Sequence, residues 1–105
     1  MRKTYHKLVR DRIPEIIKES GKSFRVSQLR GEELKNYALK KLREEVDEFI
    51  ENPCAEEAAD ILEILGFVCN REGVLPITVE AERMSKVITR GAFDMGFLLE
   101  WVEDE

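Results

Sequence analysis

An all-α fold built on a helical hairpin is the class this sequence predicts, and three observations predict it. Apolar residues recur every three to four positions from Leu34 to Ile50 and again from Ile61 to Cys69, the spacing of a helix face turned toward a core. Between the two stretches stands Pro53, which disfavours the helical conformation just before it and so separates them by a short connection. Composition agrees, because 43% hydrophobic against 37% charged residues describes a helix-rich globular chain rather than a disordered one. With 105 residues the chain is expected to form one domain over residues 1–105, whose modest core would gain from partner subunits.

The elements follow in order. Asp11 to Ser20 reads as a short helix, with Pro14 tolerated in its first turn and Gly21 at its stop. Residues 23–29 alternate apolar and polar side chains and predict a short strand. Gly31 opens a long helix that runs to about Asn52. A second long helix follows from about Cys54 to Glu72, with Gly73 after it. Thr78 is the expected N-cap of another helix, with Glu80 and Glu82 in its first turns and Gly91 at its end. Residues 97–102 then read as a second strand, whose natural partner is the strand at 23–29. Two strands alone are marginal in water, so such a ribbon would have to pack on the helices.

Charge and cysteine content narrow the function classes. A net charge of −5 argues against non-specific nucleic-acid binding, which needs a surplus of Lys and Arg to displace phosphate counterions. Positive charge gathers locally instead, at Arg2, Lys3, Lys7, Arg10 and Arg12 and again at Arg83, Lys86 and Arg90, where it suits a small polyanion. No apolar run approaches the roughly 20 residues of a bilayer span, and the basic start leads into no apolar signal segment. The expected location is the cytoplasm, with no membrane partner. Cys54 and Cys69 have no second ligand motif near them, which argues against zinc and, in a reducing compartment, against a disulfide. They read as small apolar residues on a helix.

The chemistry lies in the acids. Glu44-Glu45-Val46-Asp47-Glu48 and Glu57-Ala58-Ala59-Asp60 place carboxylates on segments that otherwise form a core. At 100° per residue, with Leu34 at about 0°, Glu45 falls at about 20° inside the apolar arc, Glu48 at about −40° on its edge and Glu44 at about −80° outside it. Counted from Ala55, Glu57 at about 200° lies within the second apolar arc and Asp60 at about 140° on its flank. A hairpin turning at Pro53 brings the two pairs, each spaced i, i+3, to similar heights. Facing carboxylates share a proton, pair with bases or hold a cation. Oxygen donors without His or Cys select a hard ion, Mg²⁺ or Mn²⁺, and magnesium commonly keeps substrate phosphates as further ligands. The alternative reading is structural, with Lys40, Lys41, Arg43 or Arg83 neutralising the acids.

The same residues carry a family resemblance. Glu44-Glu45-x-x-Glu48 followed by Glu57-x-x-Asp60 resembles the motif pair of the all-α nucleotide pyrophosphohydrolases, the superfamily of MazG-type enzymes, dimeric dUTPases and phosphoribosyl-ATP pyrophosphohydrolase. The opening from Tyr5 to Ile17 and the ending from Lys86 to Phe93 resemble a small phosphoribosyl-ATP pyrophosphohydrolase-like branch, so the similarity spans nearly the whole chain. The short segment from Phe49 to Glu56 makes the larger dUTPase type a poorer match, and nothing resembles the additional domains of histidine-biosynthesis enzymes. The resemblance implies an all-α NTP pyrophosphatase fold, with Glu45, Glu48, Glu57 and Asp60 as ligands to Mg²⁺, or Mn²⁺. It also implies release of pyrophosphate from a nucleoside triphosphate, leaving the monophosphate, often to clear unwanted nucleotides.

Mechanistic expectations follow for particular side chains. Glu44 or Glu48 would orient the attacking water. Lys86 and Arg90, one helical turn apart, are candidates to grip the phosphates, with Lys7, Arg10 and Arg12 as a second set; each of these cations also reads as ordinary surface or helix-end charge. Phe93 and Trp101 are candidates for stacking on the base, and core packing is the competing use of either. A hairpin supplies two helices of a four-helix bundle, so a homodimer or higher oligomer is expected. Two rivals stand beside this reading: hydrolysis of phosphoribosyl-ATP itself, and a non-catalytic helical adaptor for a protein partner.

Overall fold

The computed structural model describes residues 1–104. Four helices make up its regular structure, α1 (Ile13–Glu19), α2 (Gly31–Glu51), α3 (Ala55–Arg71) and α4 (Pro76–Arg90), and the fold is all-α. Proline and glycine punctuate it as their backbones require. Pro14 lies in the first turn of α1 and Pro76 opens α4, positions where the missing N–H has no helical partner to lose. After α3, Gly73 takes a left-handed φ of 73°. The Gly73 N–H then donates to the Asn70 carbonyl and the Val74 N–H to that of Cys69, a double closure that satisfies carbonyls the helix end would leave open.

Three residues, Asn52, Pro53 and Cys54, join α2 to α3. Asn52 leaves the helical region at φ −142° and ψ 79° while its N–H still closes on the Glu48 carbonyl, as a residue before proline must. The resulting hairpin is the one substantial helix–helix packing among the described residues. Ala38 and Ile64 are its buried apolar side chains, and the methyl of Ala38 leaves room for the close approach of the two helices.

Two expectations are corrected here. Residues 23–29 and 97–102 form no strand, and neither segment makes a ladder hydrogen bond. Alternation alone does not make a ribbon; a pair of strands needs a helical surface beneath it, and the 97–102 side chains rest on none, all of them being exposed. The last long helix starts at Pro76 rather than Thr78, with Leu75 in the cap position and no side-chain cap. Pro76 presets the helical φ, so the helix begins there and Thr78 lies inside it.

The chain is extended for its size. Its radius of gyration is 18.9 Å, where about 13 Å suits a compact domain of this length. Its accessible surface is 10065 Å², against about 6,100 Å² for a folded monomer of 12 kDa. Every described residue from Asn70 onward is exposed, α4 included. No helix is long and apolar enough to cross a membrane among the described residues.

Candidate metal centre

The hairpin places its acids where the wheel predicts a conflict between charge and burial. Glu45 of α2 is 5% exposed, and from α3 the half-buried Glu57 and Asp60 meet it. One carboxylate oxygen from each of the three lies within 4.8 Å of the other two. Oxygens on opposite sides of a magnesium ion stand about 4.2 Å apart, so one ion can reach all three with small side-chain adjustments.

Basic side chains answer part of this charge. Lys41, one turn before Glu45, sits 3.0 Å from its Oε1 and 3.6 Å from Glu44 Oε1. Burial works against the Lys41 ammonium, but the two glutamates outweigh it and raise its pKa. Glu44 also receives Lys7 Nζ at 3.0 Å. Its partial burial opposes ionisation, yet Lys7 and Lys41 more than offset this and hold the carboxyl below its ordinary value. Asp60 Oδ1 accepts from Arg10 Nη2 at 2.7 Å.

Two oxygens are left over. Glu45 Oε2 and Glu57 Oε2 are buried without any hydrogen-bond partner. A buried carboxylate oxygen is expensive to leave unsatisfied, and the pair belongs to the very group of acids whose oxygens converge. The donor set is all oxygen, convergent and short of positive charge, so a hard divalent cation fits these residues.

Glu48 stands one turn beyond Glu45, exposed and outside the three-acid group. The Glu45 charge, partial desolvation and the charges of Glu57 and Glu44 push its pKa up. The folded chain therefore keeps a proton on Glu48 at a pH where the unfolded chain has lost it. The associated stability is complete below the ordinary glutamate value of 4.5 and disappears as pH rises through the higher folded value. In buffer with chelator, the melting temperature of the native chain should fall relative to that of Glu48→Gln as pH rises above this ordinary value. Parallel melting curves against pH would contradict it.

The other predicted residues lie elsewhere. Arg12 pairs with its near neighbour Glu15 at 3.3 Å. Lys86 and Arg90 are exposed on α4 and make no ion pair among the described residues, and α4 does not pack substantially on the hairpin. Phe93 and Trp101 are exposed in the segment after α4. Lys41 is the neighbour that sequence reasoning treated only as a neutralising base; its i, i+4 spacing to Glu45 was the signal for a tighter role. Compared with known proteins, the chain matches no family model, no curated protein and no solved structure.

Proposed function

We propose that the protein is a magnesium-dependent nucleoside triphosphate pyrophosphohydrolase, releasing pyrophosphate and a nucleoside monophosphate. The observation that carries the reading is the pair of unpartnered buried oxygens, Glu45 Oε2 and Glu57 Oε2, in a group of acids whose oxygens converge. The motif resemblance supplies the reaction class. Glu45, Glu57 and Asp60 are the residues to hold Mg²⁺, or Mn²⁺, with Glu48 at their margin. A divalent ion held there would supply charge neutralisation for the phosphate chain and make a bound water more acidic.

The chain's own residues divide the remaining work. Glu44 is committed to Lys7 and Lys41, which leaves Glu48, with its raised pKa, as the better acceptor for a proton from the attacking water. Lys7 and Arg10, with Lys41, are cations beside the acids, and the more exposed Lys7 and Arg10 are suited to the phosphates. Lys86 and Arg90 would serve only from a second copy, and the large excess of exposed apolar surface supports such an oligomer. The same excess also suits the adaptor reading, in which Lys7, Arg10 and Lys41 neutralise the acids for structural reasons alone.

One assay separates these readings. Pyrophosphate release is measured from standard and modified nucleoside triphosphates and from phosphoribosyl-ATP, with and without Mg²⁺. Metal-dependent release from triphosphates is the expected result. Activity on phosphoribosyl-ATP alone would move the substrate, and no release from any of them, with no Mg²⁺ or Mn²⁺ effect on melting, would leave the adaptor.

A further inference from the structure

The segment before α1 carries contacts that its own folding does not call for. Lys7 and Arg10 reach acids 37 and 50 positions away in the chain, so residues 5–12 lie against the hairpin beside the acid group. Leu8 is half-buried there, as are Ile13 and Ile17 in the helix that follows. The Tyr5 ring adds a second hold on Lys7, whose Nζ is 5.7 Å from the ring centre, within cation–π range.

Asp60 therefore has two claimants. Its Oδ1 is 2.7 Å from Arg10 Nη2, and it also offers an oxygen to the group formed with Glu45 and Glu57. A dication held by the three acids would draw on the Asp60 charge that retains Arg10, and would set a like charge close to the guanidinium. Side-chain exposure decides which yields: Arg10 is 58% exposed and Lys7 39%, and exposed ion pairs are weak and easily exchanged for water.

Resting on the metal reading above, we infer that residues 5–12 form a cationic strap on the acid group, from which a divalent cation releases Arg10. The ion and the guanidinium compete for Asp60. Once free of Asp60, Arg10 remains next to the site with its positive charge available, while Lys7 stays on Glu44.

The test compares the full native chain with Arg10→Gln, an exposed substitution that leaves the hairpin core untouched. Mn²⁺ affinity is measured by titration calorimetry, and trypsin cleavage after Lys7 and Arg12 is followed relative to cleavage after Arg90. Arg10→Gln should bind Mn²⁺ roughly two- to fivefold more tightly, the effect of one exposed ion pair, and Mn²⁺ should speed strap cleavage in the native chain. Binding by Arg10→Gln alone would also uphold the strap. Equal or weaker binding by Arg10→Gln, or Mn²⁺ binding to the native chain without faster strap cleavage, would overturn the strap and leave the metal site standing. Binding by neither protein would remove both.

Discussion

Glu57→Gln and Asp60→Asn should each lower metal-dependent pyrophosphate release by at least about 100-fold, since loss of a mere outer-shell partner already costs 10–100-fold at metal sites. Both substitutions keep the shape of the side chain and remove its charge. Without metal the folded chain should lose little stability. Glu57 gives up a carboxylate whose Oε2 is buried and unpartnered, and Asp60 gives up a partly exposed pair with Arg10 worth about 0–1 kcal/mol. The contrast should therefore appear on adding metal. A ligand at 100 times its Kd stabilises the native state by about 2.7 kcal/mol, which is about 10–20 °C for a domain of this size. The native chain should show such a shift in Mn²⁺ and the two variants should not. Glu45 is a poorer probe, because replacing it leaves the half-buried Lys41 ammonium with only its more distant partner, Glu44 at 3.6 Å, and mixes a folding defect with the loss of a ligand. A Glu57→Gln chain that melts higher in Mn²⁺ by the native increment would show that the cation binds elsewhere.

How far the sequence reaches can be judged on particular residues. Helical periodicity places Glu45 inside an apolar arc, and among the described residues it is the one buried charged residue; Pro53 locates the turn that sets Glu57 and Asp60 opposite it. These are local facts, fixed by the 100° step and the conformation before proline. Glu48, on the edge of the arc, stays exposed and outside the converging group, because a margin position can turn to water at no cost. The contacts of Lys7 with Glu44 and of Arg10 with Asp60 join residues 37 and 50 positions apart, and no periodicity encodes them. The absent ribbon has the same origin. Alternation at 23–29 and 97–102 states which residues would share a face of a strand, but pairing depends on a supporting surface that local pattern does not contain.

That missing surface leads to the second large effect, which concerns assembly. On α4, Ile77, Ala81, Met84 and Ile88 fall within about 60° of one another on a helical wheel, while Lys86 lies about 180° from Ile77. A stripe of this kind is normally buried, yet Ile77, Met84 and Ile88 are all exposed. The surface of 10065 Å² exceeds that of a compact monomer by about 4,000 Å², enough for an obligate homodimer interface, which runs about 2,000–5,000 Å². The native chain should therefore sediment as a dimer or larger at micromolar concentration, and its melting temperature should rise with protein concentration, because association and folding are then one equilibrium. Met84→Asp combined with Ile88→Asp removes two apolar side chains worth about 1.5–3 kcal/mol each when buried and adds two charges to the interface. Against a total stability of about 5–15 kcal/mol, this should abolish the assembly and most cooperative melting with it. Lys86→Asp, on the opposite face, should leave both unchanged. A native chain that sediments as a monomer and melts at one temperature across a hundredfold range of concentration would instead mean that the hairpin is stable alone and that α4 does not join copies of this chain.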